Sequence, residues 1–295
     1  LEANVKRIIV IGGMGMFGRT VVDELRKFGI AALPGSRRPS AALFIDGEDA
    51  DSIRSVLHAG DIAIDAAGPY HLRSTALIES AIEVGFDVID LNDNLGYAQC
   101  VVSLEPQVAA AGIRVLTSAS TVSAISAAML RQSGLSAPVR ATAFLAPATR
   151  RTANRATARS LLRCIGQPIQ IWREGRLSGA AGWGEIRQFP MPEPLGPIWG
   201  RLFESADAVH LPRIWPSLRD VAMYVDPRSN EVKAALYFAA RSRLARNVAG
   251  RAERFAVWLA RRFGSNLGGV GYEFQAANGA VARYSLTAER NSYFA

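Results

Sequence analysis

The stretch Val10-Ile11-Gly12-Gly13-Met14-Gly15-Met16-Phe17-Gly18 constrains this chain more than any other. Before it runs Ile8-Ile9-Val10-Ile11, apolar and β-branched throughout, the pattern of a short strand buried on both faces. After it, Arg19-Thr20-Val21-Val22-Asp23-Glu24-Leu25-Arg26 has helical apolar spacing. Gly13, Gly15 and Gly18 satisfy G-x-G-x-x-G, and Gly12, Gly15 and Gly18 satisfy the looser G-x-x-G-x-x-G. One glycine makes the sharp turn, one lets backbone amides approach a pyrophosphate, and one lets helix pack on strand. The helix N-terminus then offers amide groups and a partial positive charge to the diphosphate. A bare structural turn is the alternative. The order strand, turn, helix at the start of a domain favours a dinucleotide cradle formed by Gly12, Gly13, Met14, Gly15, Met16, Phe17 and Gly18.

Gly29 is a plausible C-cap for that helix, and Ile30-Ala31-Ala32-Leu33 reads as a second strand. Where NAD is bound, an acidic residue near the end of this strand accepts the ribose 2′-hydroxyl. Here the chain has Pro34-Gly35-Ser36-Arg37-Arg38-Pro39 instead. Two guanidiniums and a hydroxyl are suited to a 2′-phosphate, because arginine offers planar, charge-assisted donors. Ser36, Arg37 and Arg38 therefore point to NADP(H), the alternative being a solvated basic loop.

Strands are predicted at 42–46, 61–68, 87–91 and 114–120, with helices at 49–57, 74–84 and 99–111 between them. Six strands alternating with helices over about 120 residues make a doubly wound parallel sheet. Ala66-Ala67-Gly68-Pro69-Tyr70 closes the fourth strand; small residues there let the backbone approach ribose and nicotinamide, so Ala67, Gly68 and Pro69 join the cofactor set. Beyond Thr121 the texture changes. Residues 122–130 read as a helix bridging two domains, 139–147 as a strand, and 149–163 as a polar, arginine-rich stretch. From 166 to 216 proline, glycine and tryptophan dominate, which suggests β and irregular structure. Basic amphipathic segments follow at 232–247 and 251–263, then a hairpin around Asn278-Gly279. The expected organisation is a Rossmann-type domain over 1–125 and a mixed α+β substrate or dimerisation domain over 126–295.

Of 295 residues, 49% are hydrophobic and 20% charged, which fits a folded chain with a substantial core. The net charge of +8 comes mainly from arginine; it suits anionic ligands or an acidic surface, or simply an arginine-rich proteome. No Lys/Arg block is interleaved with aromatics as in a single-strand-binding groove, so no nucleic-acid partner is expected. Cys100 and Cys164 are far apart, and His58, His71 and His210 are scattered, which argues against a disulfide framework or a metal site and suits a reducing compartment. No signal-peptide pattern or apolar run of about 18 residues is present, so no spanning helix is expected and a cytoplasmic location follows. The opening Leu1-Glu2 reads as a trimmed or appended end and carries no part of the reading.

Taken together, Gly12–Gly18, Ser36-Arg37-Arg38, Ala66-Ala67-Gly68-Pro69-Tyr70, Val88-Ile89-Asp90-Leu91-Asn92-Asp93 and Thr117-Ser118-Ala119-Ser120-Thr121 resemble the saccharopine dehydrogenase/reductase-like NADP-binding family. The ordered match covers about the first 130 residues; Gly182-Trp183-Gly184 and Leu195-Gly196-Pro197 are weaker marks in the second half. The resemblance implies a Rossmann domain, a mixed α/β substrate domain with a cleft between them, and NADP(H)-linked hydride transfer at a carbon–nitrogen bond joining two amino acids.

Imine reduction needs position and electrostatics from the protein. Asp93, ending the fifth strand, is a candidate to stabilise a protonated imine, or else a cap for the following helix. Tyr70 is the second catalytic candidate; it and His71 could orient substrate or donate a proton, or merely pack near the cofactor. Ser118, Ser120 and Thr121 are placed for a carboxylate or for helix capping. Arg150, Arg151 and Arg155 could bind substrate carboxylates or form a solvated basic loop. Three function classes remain: an NADP(H)-dependent oxidoreductase on a small, amino-acid-derived substrate, a non-catalytic NADP(H) sensor or scaffold, and a membrane-surface protein using the basic segments at 232–263. The apolar faces of those segments would otherwise lie in the core or a homodimer interface.

Overall fold

The computed structural model describes residues 6–229, 231–234, 237 and 253–288. Most of the first basic segment, 232–247, lies outside the described residues. The chain divides into two compact units, Leu1–Ser120 and Thr121–Ala295.

The first unit is a parallel six-stranded sheet built from β1 (Ile8–Ile11), β2 (Leu33–Ser36), β3 (Leu43–Phe44), β4 (Ile62–Asp65), β5 (Asp87–Asp90) and β6 (Val115–Leu116), in the order β3-β2-β1-β4-β5-β6. That is the Rossmann order, with helices on both faces. Strand periodicity sorts the side chains. Val10 and Ile64 face α1 (Met16–Lys27), which buries Val22 with Phe17, Val21 and Leu25 beside them. Ile9, Ile11, Ala63 and Val88 face the other layer, made by α2 (Ala50–Val56), α3 (Ala76–Val84) and α4 (Leu95–Ser103) through Ile53, Leu77, Ile78 and Val101. The α/β fold read from the alternation of elements is the fold observed.

Two local expectations are corrected. The second strand lies at Leu33–Ser36 rather than Ile30–Leu33; Ile30 and Leu33 are exposed, and the pairing is set by Pro34 and Gly35 against Val10 and Ile11. A Cβ on Gly35 would sit 2.6 Å from Ile45, so a residue of poor strand propensity is required by packing. The single helix expected at 99–111 is two, α4 and α5 (Glu105–Ala111), broken at Leu104 because Pro106 has no amide to continue the ladder.

The second unit begins with α6 (Thr121–Gln132) and β7 (Pro138–Ala146), followed by α7 (Thr149–Thr152) and α8 (Arg155–Cys164). Asn154 closes a capping box at the start of α8. Next come β8 (Pro168–Arg173), β9 (Arg176–Ala181), β10 (Ile186–Phe189), β11 (Ile198–Phe203), α9 (Asp207–Ile214), β12 (Asp220–Val225), α10 (Glu253–Phe263), β13 (Gly268–Ala276) and β14 (Val281–Ala288). The helix α9 falls where β and irregular structure was expected; Pro212 within it hides it from sequence, while buried Leu211 holds it to the core.

The strands form one mixed sheet in the order β10-β11-β12-β7-β13-β14, with β8 joining β12 and β9. Only β12 and β7 pair in parallel among these. One face of β7, Ala141, Ala143 and Leu145, lies under Val122 and Leu130 of α6 and Leu211 of α9. The opposite face carries Phe144, whose ring is 4.8 Å from that of Phe189 on β10, three strands along the sheet. The sheet therefore rolls over itself. Gly271 on β13 makes room for the roll, since a Cβ there would strike the Phe189 ring. The hairpin at Asn278-Gly279 joins β13 and β14, with Gly279 at φ +87°.

Candidate functional site

The glycine turn follows β1. Gly12 takes φ +75°, and the amide of Gly13 donates to Val10 (3.0 Å) and to Gly35 on the neighbouring strand (2.9 Å). A Cβ on Gly18 would land on the Gly12 carbonyl, one on Gly13 would lie 2.7 Å from Pro34 Cα, and one on Gly12 would lie 3.0 Å from the Ala67 backbone. These three glycines are demanded by the unit's own packing. Gly15 is different. It is exposed, and its Cβ would meet only the Gly12 carbonyl, at 3.0 Å. It stands at the cap position of α1 with no side-chain cap, and the first turn carries no acidic residue. Met16 and Phe17 form that first turn, and half-buried Met14 precedes the cap. This end of the helix suits an anion by both its amides and its dipole.

The Gly13–Gly35 bond sets the end of β2 beside this turn. Ser36 ends the strand, and its Oγ accepts the Arg38 amide at 3.2 Å. Arg37 and Arg38 are exposed, and the Arg37 guanidinium lies 3.8 Å from Asp46 just past β3. Sequence reasoning missed Asp46, because its nearness depends on the β2–β3 pairing.

At the end of β4, Ala66 donates to Ile11 (2.9 Å) and Ala67 to the Asp65 carboxylate (3.0 Å), which sets Ala66 and Ala67 against Gly12, with Gly68 and Pro69 following. Tyr70 follows in a 3-10 turn over Tyr70–Leu72, with His71 half-buried beside it. The Tyr70 hydroxyl is buried, donates to the Asp65 carbonyl (2.5 Å) and accepts the Leu91 amide (3.0 Å). Burial, then Asp65 and Asp90, push its pKa well above that of an ordinary phenol. Tyr70 thus straps the end of β4 to the residue after β5, with its hydroxyl engaged by two backbone groups.

Behind the strap lies a buried ion cluster absent from the sequence reading. Arg73 bonds Asp65 (2.7 Å) and Glu48. Burial works against the Arg73 charge, but the carboxylates of Asp65 and Glu48 outweigh it, and the pKa is raised. Asp65 itself is raised by complete burial, with Arg73 opposing.

Asp90, the register partner of Asp65 on β5, is also buried. Its Oδ1 accepts the amides of Ser118 (2.8 Å) and Asn92 (3.0 Å), and Asn92 Nδ2 donates to Ser118 Oγ (3.0 Å). Burial pushes Asp90 up to about 6 despite these donors. Ser118 is held at φ +59°, a left-handed conformation that side chains other than glycine adopt sparingly. Asp93 is exposed, and the cap of α4 is Asn94, whose Oδ1 accepts the Tyr97 amide at 3.0 Å. Ser120 is half-buried after β6, and Thr121 opens α6.

In the second unit Arg150, Arg151 and Arg155 lie exposed on α7 and the start of α8. Arg155 pairs with Glu253 (3.3 Å), and Arg150 donates to the Arg262 carbonyl (3.4 Å). Among the described residues, no three or more His, Cys, Asp or Glu side chains gather as they would around a metal ion. No helix among them is long and apolar enough to cross a membrane.

No protein-family model matches the sequence, and no curated protein matches it. Solved structures do. The apo saccharopine dehydrogenase (L-Glu forming) of Saccharomyces cerevisiae aligns with a TM-score of 0.55 at 14% identity, over 96% of this chain and 85% of that one. This chain has the saccharopine dehydrogenase fold. An engineered D-amino acid dehydrogenase bound to NADP+ aligns at 13% identity and a TM-score of 0.46, over 98% of this chain and 85% of its own. A mutant meso-DAPDH with DAP, from Clostridium tetani E88, gives 15% and 0.42, over 98% and 85%.

Proposed function

We propose that this chain is an NADP(H)-dependent oxidoreductase of the saccharopine dehydrogenase family that acts on a carbon–nitrogen bond of an amino-acid-like substrate. One observation carries the reading. The helix start at Gly15, which has no side-chain cap, is joined through the Gly13–Gly35 bond to a strand that ends at Ser36 and leads into Arg37 and Arg38. A diphosphate and a 2′-phosphate are the two anionic groups of one ligand, and these are two adjacent places for anions.

In this reading the diphosphate sits at the start of α1, beside Gly15, Met16 and Phe17 and within the field of the helix dipole, with Met14 next to them. Ser36, Arg37 and Arg38 take the 2′-phosphate, and Ala67, Gly68 and Pro69 flank the nicotinamide ribose. The bound nicotinamide supplies or accepts the hydride. Asp93 stabilises the cationic carbon–nitrogen group by charge, while Tyr70 and the Asp90–Asn92–Ser118 network keep the strand ends rigid behind it. The fold shared with a saccharopine dehydrogenase supports the class of substrate.

The test is turnover: NADPH oxidation with a panel of keto-acid and amino-acid pairs, and NADP+ reduction with saccharopine. Asp93→Asn is expected to lower turnover while NADPH affinity stays within about twofold. NADPH binding without turnover on any pair would reduce the protein to a cofactor-binding one, and the reading would fail.

A further inference from the structure

The helix α10 uses two faces differently. Ala256 and Leu259 pack against Leu162, Ile165 and Trp183, and buried Glu253 receives Arg159 and Arg155 of α8. The outward face presents Phe255 and Trp258, 59% and 55% exposed, whose rings stack at 5.7 Å. Phe263 stands edge-on to Trp258 at 6.3 Å, with the Arg262 guanidinium 5.2 Å from its ring centroid. Arg254, Arg261 and Arg262 are exposed on the same helix, with Arg261 donating to the Ala153 carbonyl (3.1 Å). Large exposed aromatics grouped on one helix face are not incidental surface.

The charge is concentrated in the same place. The helices α7 and α8 carry five arginines and no acid, and α10 carries three arginines and only Glu253. Most of the net charge of +8 is therefore on these three neighbouring helices. An aromatic ridge within a cationic surface complements an anionic bilayer, where rings enter the headgroup layer and guanidiniums meet phosphates. Nucleic acid is a poorer match. Phe255 and Trp258 cover each other, so they do not offer two open faces to stacked bases.

We infer that the outward face of α10, built on Phe255, Trp258, Arg254 and Arg262, docks this protein on anionic membrane surfaces. This inference stands apart from the proposed oxidoreductase activity.

The test uses the full chain with phosphatidylcholine vesicles, with and without phosphatidylserine, read by co-sedimentation. Binding is expected only with phosphatidylserine and weakens as salt rises. Arg254→Gln and Arg262→Gln should each weaken it about fivefold. Phe255→Ala combined with Trp258→Ala should weaken it about tenfold or more. Circular dichroism and thermal melts check that each variant is folded, and the arginine variants decide the matter if the aromatic pair is not. Equal sedimentation of wild type and variants overturns the inference. So does tighter binding to polyuridine than to vesicles, or a self-association abolished by the aromatic variants.

Discussion

The amide of Gly13 donates to the carbonyl of Gly35 at 2.9 Å, so the glycine turn is tied by a backbone bond to the strand that leads into Arg37 and Arg38. The sheet thereby fixes where the chain leaves β2 at Ser36, immediately before Arg37 and Arg38. In the proposed reading, preference for NADPH over NADH depends on whether those guanidiniums are available.

Arg37 stands 3.8 Å from Asp46, in a pair whose arginine is largely exposed. Exposed pairs are worth about 0–1 kcal/mol, whereas a hydrogen bond to a charged group is worth about 1.5–3 kcal/mol. A 2′-phosphate should therefore displace Asp46. Arg37→Ala and Arg38→Ala are each expected to weaken NADPH binding by about one to two orders of magnitude and to leave NADH binding nearly unchanged. Paired titrations of NADPH and NADH against wild type, both single variants and the double variant decide it. A double variant that keeps the wild-type preference would remove these arginines from the cofactor site.

The glycines should divide into two groups. A side chain at Gly18 has the Gly12 carbonyl in its way, while one at Gly15 meets only that carbonyl at 3.0 Å. Gly18→Val should destabilise the first unit by several kcal/mol, by about 2 or more, through overpacking against backbone. Gly15→Val should stay folded and lose NADPH. Thermal melts beside NADPH titrations separate the two; a Gly15→Val variant that binds normally would move the diphosphate elsewhere.

How much of this was legible in sequence depended on the range of the interactions. The strand, glycine turn and α1 could be read because apolar periodicity and glycine spacing are local. Ser36-Arg37-Arg38 could be found but not its strand, since Pro34 and Gly35 are held there by Ile45 and Gly13 against their propensity. Pro212 concealed α9 for the opposite reason: a breaker sits in a helix that buried Leu211 keeps in place. Asp65 and Asp90 did leave a signal. Each ends a strand directly after apolar residues, Ile62-Ala63-Ile64 and Val88-Ile89, at a buried position where a carboxylate needs partners. Which partners these were, Arg73 for one and Ser118 with Asn92 for the other, required the fold.

The Tyr70 strap yields a stability prediction. Removing its hydroxyl takes one hydrogen bond each from the Asp65 carbonyl and the Leu91 amide, which stay bonded to each other at 3.0 Å. Tyr70→Phe should cost about 0.5–1.5 kcal/mol, the net worth of a hydrogen bond whose backbone partners remain satisfied. Chemical denaturation of the variant measures the cost. NADPH affinity should fall little, because the hydroxyl faces the sheet and not the turn. A variant as stable as wild type would mean that the strap contributes nothing.

Asp90 yields a prediction in pH. Its folded-state pKa, about 6, lies above the ordinary value of 3.8, because burial disfavours the charge. Between those values the folded protein holds a proton that the unfolded chain has released, so raising the pH shifts the balance toward unfolding. Asp90 therefore lowers stability progressively from about pH 4 to about pH 6, and its full penalty is present above that, roughly 2–3 kcal/mol. Carboxylates such as Asp61 and Asp87 are lowered, so their contribution runs the other way and fades as pH falls. The difference between wild type and Asp90→Asn isolates the one group. Asparagine keeps an oxygen for the Ser118 and Asn92 amides and carries no charge at any pH. The variant should lose the decline between pH 4 and 6, and its stability relative to wild type should rise across that window and level off above it. Denaturation midpoints of both proteins at half-unit steps of pH from 4 to 7.5 provide the comparison. Parallel curves would mean that Asp90 ionises in the fold as it does in water, and that its two amide donors fully compensate its burial.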